Sequence, residues 1–150
     1  MLRVLLAMVH LTVAALCLGS MAYSLGVVQP RVARFFPDEE RREEFLLALA
    51  HGNRWPVAGL VAALIASAAG VMATSSPGVV TGYAVAMASY VAAAAVFADV
   101  SWRHWPKRVF ALPAELASFR ARLMIRAWTM LGLVGTGFVA ALSVSLRAGL

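Results

Sequence analysis

Four stretches of this sequence run for about 20 residues with almost no charge, the length a helix needs to cross a bilayer. They are Val4 to Val28, Val57 to Ser75, Val79 to Val100 and Ala127 to Leu146. Allowing for their ends, transmembrane helices are expected over about 4–28, 55–75, 79–101 and 124–147. The expected fold class is therefore an all-α membrane protein, a four-transmembrane-helix bundle in a single domain over residues 1–150. A soluble reading fails on composition: 62% of the residues are hydrophobic and only 13% are charged, well outside the range of soluble domains. A net charge of +6 raises nucleic acid as a partner, but basic residues also mark the cytoplasmic side of membrane proteins, and the hydrophobicity decides for the bilayer. No nucleic-acid partner is expected.

The first stretch starts after Arg3 and contains "SMA" (Ser20 to Ala22), a spacing seen at signal-peptide cleavage sites. The apolar run continues past it to Val28, so a retained helix is expected. Cys17 is the only cysteine, which removes an intrachain disulfide and a thiolate metal cluster. Leucine precedes it where lipoprotein processing needs a small residue.

The connectors carry the charge. "SSPG" (Ser75 to Gly78) is short and uncharged and implies a tight antiparallel hairpin. The other two are long: five arginines (Arg31, Arg34, Arg41, Arg42, Arg54) lie in the first, and six cations (Arg103, Lys107, Arg108, Arg120, Arg122, Arg126) lie in the second. Only Arg3 and Arg147 lie on the other side. By the positive-inside bias the long connectors are expected in the cytoplasm and both termini outside, in a multi-pass protein of the cell membrane. Trp55, Trp102, Trp105 and Trp128 sit at the connector ends of the apolar stretches, as an interfacial aromatic belt would.

In "RFFPDEERREEFLLALAHGNRWP", Asp38 can cap a helix, acidic residues follow near its positive end, and Gly52 is a natural stop. Phe45, Leu46, Leu49 and Ala50 share one helical face. A short interfacial helix over about 38–51 is expected. "PRVARFFPDE" (Pro30 to Glu39) aligns with "PKRVFALPAE" (Pro106 to Glu115), and "GLVAAL" with "GFVAAL", suggesting two helix-connector-helix halves. Small residues four apart, such as Ala15 with Gly19, Ala22 with Gly26, Ala66 with Gly70, and the run Gly78, Gly82, Ala86, Tyr90, Ala94, Ala98, are expected to let helices approach closely.

Polar groups able to do chemistry are few. His51, Asn53, Asp99, His104 and Arg126 all belong to the connector end and form the candidate polar cluster. His51, His104 and Asp99 are a metal set to weigh, but ordinary interfacial histidines are the simpler reading. No catalytic residue, metal or cofactor is assigned. An intramembrane ionisable residue is a functional candidate by default, yet Asp99 has Arg103 four residues on and Arg126 in reach, so an ion pair is expected. His10 lies toward the opposite end and is expected to hydrogen-bond a neighbouring helix, at Tyr83 or Ser143. The chain has no phosphate loop, nucleophile elbow or zinc-protease motif.

"LGSMAYSLGVVQPRVARF" followed by "HGNRWPVAGLVAAL" resembles the first half of small four-helix membrane proteins of the anthrone-oxygenase-like type. The matching positions are Gly19, Pro30, Asn53 and Pro56; "RARLMIRAWTMLGLV" in the second half departs from the family's pattern. A second resemblance, to copper-resistance-D-like bundles, rests on His10 and a small-residue helix. Either implies a four-helix membrane fold. Two functions are weighed, and the first is the expected one. One is a non-enzymatic accessory or structural subunit of a larger membrane complex, or a homo-oligomer. The other is an oxygenase-like enzyme or binder of a lipophilic small molecule, with its polar site at the connector end.

Overall fold

The computed structural model describes residues 1–109 and 113–150. Helix α1 covers Leu2–Phe35, α2 Glu39–Ala73 and α4 Pro113–Arg147. Helix α3 begins as Pro77–Asp99, widens over Val100–His104 and continues through Trp105–Val109. No strand occurs among the described residues. All four helices are long and apolar enough to span a membrane. The middle of the second connector, 110–112 within "PKRVFALPAE", lies outside the described residues.

The helices form an up-and-down bundle in which each packs on its neighbours in sequence and α4 closes the ring against α1. Short connections dictate this antiparallel order. The α2–α3 hairpin has the expected tightness: Ser76 takes the cap position, its carbonyl accepts from the N–H groups of Val79 and Val80 at 3.0 Å, and Pro77 opens α3 where its missing N–H costs nothing. At the far end of α4, Gly149 adopts a left-handed conformation (φ 65°). Leu150 N–H then bonds Ser145 O at 2.9 Å and Gly149 N–H bonds Leu146 O at 3.4 Å, which closes the last turn as a Schellman motif.

The expected interfacial helix over 38–51 is a correction. Asp38 does cap it, accepting from Glu40 N–H at 3.1 Å, but the helix passes through Gly52 and Pro56 without a break into the second span. The connector-end turns are held between neighbouring helices, with Glu43 and Leu46 buried, and this packing outweighs the weak helix preference of Gly52. A 35-residue helix is about 52 Å long, against about 30 Å of hydrocarbon. The connector end of the bundle therefore stands out from the apolar layer by several turns.

Two wide turns give the halves a common design. Over Ser24–Val28 and again over Val100–His104 the helix opens to π geometry, with Gln29 N–H bonded to Ser24 O and Trp105 N–H to Val100 O. A proline follows at once in each case, Pro30 and Pro106. Proline has no N–H for the next carbonyl in that register, so Leu25 O and Ser101 O lose their donors. Each half then ends in a 35-residue helix.

The core is lined by small residues and two large rings. Ala7, Ala14, Ala68, Ala86 and Ala141 are fully buried beside Tyr83 and Tyr90. The glycine pattern separates into two kinds. Gly82 of α3 lies directly against Val144, and Gly137 of α4 lies against the Tyr90 ring, so close that a methyl group at either would overlap its neighbour. A methyl group at Gly70 would meet Leu6 at an ordinary distance of 3.6 Å. By contrast Gly19, Gly26 and Gly78 face open space, and Ala98 is exposed. The expected small-residue contacts thus hold in the middle of α3, at Gly82, Ala86 and Tyr90, but not on α1, nor at Ala66 of α2, which is exposed.

Candidate functional site at the connector end

The five residues of the predicted polar cluster do not converge. Asp99 and Arg126 do meet, Oδ2 to a guanidinium nitrogen at 3.0 Å, as a half-buried ion pair between α3 and α4. His104 is buried, its ring tilted against Phe119 at 5.4 Å between centroids. His51 is exposed and borders a separate hollow with Leu47, Arg54 and Trp105. Asn53 faces elsewhere, into a cleft described below. Residues on one helical level need not share one helical face, and this is why the cluster dissolves. No group of three His, Cys, Asp or Glu side chains among the described residues is placed to hold a metal ion.

Arg54, which is absent from the predicted cluster, has a clear task. Its guanidinium donates to Ser101 O at 2.9 Å, the carbonyl left without a donor by Pro106, and lies over the Trp102 ring at 5.4 Å. The side chain repairs a backbone defect that the proline creates.

His10 sits at the opposite end in a buried polar network. Its Nδ1 lies 2.9 Å from Ser67 Oγ, and its Nε2 lies 3.3 Å from Tyr90 Oη. The tautomer follows from proton count. Ser67 has one hydroxyl proton, and it is donated to Leu64 O at 3.0 Å; toward His10 the oxygen must accept. Nδ1 therefore carries the proton, and Nε2 accepts from the Tyr90 hydroxyl. Tyr83 packs its ring on His10 at 5.3 Å and pairs its hydroxyl with Ser145 Oγ at 2.9 Å. The expected bond from His10 to a neighbouring helix exists, but its partners are Ser67 and Tyr90 rather than Tyr83 or Ser143. These polar atoms satisfy one another in a packed interior, which fits a role in fixing how helices pair.

The feature best suited to hold another molecule is a cleft at the connector end, walled by all four helices. One lobe, of about 230 Å³, is lined by Met21, Ser24 and Leu25 of α1, Leu46 and Asn53 of α2, Trp105 of α3, and Leu123, Ala127 and Met130 of α4. A second, of about 320 Å³, shares Leu25, Gln29, Leu46, Leu123 and Met124 with the first and reaches Arg42 and Arg120. The wide turn over Ser24–Val28 contributes directly to the wall. Such π turns recur at functional sites. No family model, curated protein or solved structure matches the chain.

At the outer edge of the cleft the connectors are tied together by charge. Arg120 of α4 reaches across to Glu39 and, at 3.3 Å, to Glu43 of α2. Arg42 joins the same Glu39 oxygen at 3.2 Å. Sequence reasoning missed the cleft because leucine, methionine and alanine look the same in a core and in a pocket wall. The available signal was the acid-rich "PDEERREE" stretch facing a later arginine, but the pairing with Arg120 spans 81 positions.

Proposed function

We propose that this protein holds a lipophilic small molecule in the connector-end cleft, as a multi-pass membrane protein whose long connectors lie in the cytoplasm. The lining of the cleft carries the reading. It is apolar on all four helices, with a few polar groups (Ser24, Gln29, Asn53) spaced along it, the usual make-up of a small-molecule site. Of its two lobes, the one of about 320 Å³ sits at the lower end of the range for such sites, roughly 300–1,000 Å³, and the one of about 230 Å³ falls just below it. The Lys and Arg bias of the connectors supports the orientation. Oxygenase-like chemistry is not part of the proposal, because the residues expected to carry it are dispersed.

The test is mass spectrometry of small molecules extracted from the protein purified in lipid nanodiscs, beside a Leu46→Trp variant. Leu46 is common to both lobes, so the indole fills the cleft. A stoichiometric species present in the unaltered protein and lost from a folded variant supports the proposal. Equal recovery from both, or none from either, refutes it.

A second reading, a non-enzymatic accessory subunit or homo-oligomer, is favoured by the outer face of α1. Gly19 and Gly26 point into open space there, beside exposed Thr12 and Ala15, and such faces let helices of separate chains approach. Cysteine at Gly19 should then form a disulfide-linked dimer, or crosslink to one stoichiometric partner; a monomer that crosslinks to neither removes this reading.

A further inference from the structure

Resting on the cleft proposed above, we infer that its occupant is a single-chain amphiphile with an anionic head, a carboxylate or phosphate held by Arg42 and Arg120. The charge on the cleft walls is of one sign. Arg42 and Arg120 line the outer lobe, and no Asp or Glu among the described residues lines either lobe. The carboxylates of Glu39 and Glu43 engage the terminal nitrogens of the two guanidiniums and are not themselves part of the cleft lining. The Nε atoms of both arginines are buried and have no hydrogen-bond partner among the described residues. Arginine offers five N–H donors in a fixed fork, and a buried donor left unpaired is costly. Two guanidiniums lining one end of an apolar cleft give an oxyanion charge-assisted donors from which to accept.

The remaining length of the cleft suits an alkyl chain. From Arg120 to Met130 along α4 is about 15 Å at the helical rise, and the walls over that distance are Leu123, Met124 and Ala127 on α4 and Leu25 on α1. Methionine adapts its shape to flexible apolar partners. The polar end lies farthest from the apolar spans and the methionine end lies toward them. A molecule bound this way keeps the orientation it has in a lipid leaflet.

The experiment uses the full chain in phosphatidylcholine nanodiscs and a palmitate bearing a photoreactive diazirine on its tail. Labelled residues are mapped by peptide mass spectrometry, with laurate, dodecanol and acetate as competitors. Labelling is expected on the Met21 and Met130 segments, displaced by laurate but by neither dodecanol nor acetate. Arg42→Gln is expected to weaken laurate competition roughly tenfold, the loss typical of a charge-assisted hydrogen bond. Dodecanol competing as well as laurate would overturn the anionic head while leaving a lipophilic occupant in place. Acetate competing alone would show a free-anion site and overturn the amphiphile. No labelling of the cleft by any probe would remove both this inference and the reading beneath it. The laurate and dodecanol comparison is made on the unaltered protein, so it stands even if Arg42→Gln disturbs the connector ion pairs.

Discussion

Gly137 is the position where one added methyl group should do the most damage. A Cβ there would stand 2.8 Å from Tyr90 Cζ and 2.9 Å from Cδ1, with Cε1 closer still, against an ordinary carbon contact of about 3.5–4.0 Å. The ring has no room to yield. It is 1% exposed, and its hydroxyl is held by His10 at 3.3 Å, so a shift of about 1 Å would break that bond. Overpacking costs about 1–3 kcal/mol and the lost interhelical hydrogen bond adds about 0.6 kcal/mol. The better helix propensity of alanine offsets at most about 1 kcal/mol. Gly137→Ala should therefore lose about 1–3 kcal/mol in reversible unfolding by sodium dodecyl sulfate in mixed micelles, followed by circular dichroism. In a Tyr90→Leu background the ring is gone and the same substitution should be neutral or slightly stabilising. If Gly137→Ala costs the same in both backgrounds, the close approach to Tyr90 is not what the glycine is for, and the reasoning fails.

Three further outcomes follow from the geometry. Tyr90→Phe leaves His10 Nε2 without its donor and should cost about 0.6 kcal/mol, up to about 1.7, in the same unfolding titration; His10→Ala in the Tyr90→Phe background should cost less than His10→Ala alone. Arg54→Met strands the Ser101 carbonyl and should cost about 1–3 kcal/mol, with faster amide exchange confined to the wide turn of α3 and the facing part of α2. The Asp99–Arg126 pair, 36% exposed on each side, should show a coupling energy of no more than about 1 kcal/mol in an Asp99→Asn, Arg126→Gln double-mutant cycle.

What the sequence disclosed and what it hid divide along physical lines. Four apolar runs forced four helices, since a bilayer leaves the backbone little else, and the Asp38 cap and the Ser75 to Gly78 hairpin are local signals read within a few residues. Gly52 misled because a helix stop depends on what surrounds it, and here Glu43 and Leu46 are buried against neighbouring helices. Asp99 found Arg126 because both mark the same level of adjacent helices. His51 and His104 stayed apart because level says nothing about face. The partners of His10 were half seen: Tyr83 does touch its ring, while Ser67 and Tyr90 lie 57 and 80 positions away, and their rotation toward His10 is a property of the assembled bundle.

The two wide turns carry a consequence for where the cleft lies. Matching Pro30 to Pro106 places Leu25 opposite Ser101. At the second turn Arg54 plugs the gap, donating to the carbonyl that the proline strands. At the first, Leu25 borders the cavity, and Met130 of α4 stands on the same wall. A bundle with both turns plugged would be solid at that end. The hollow is thus the space beside the other wide turn, and Met130→Arg would put a guanidinium into it.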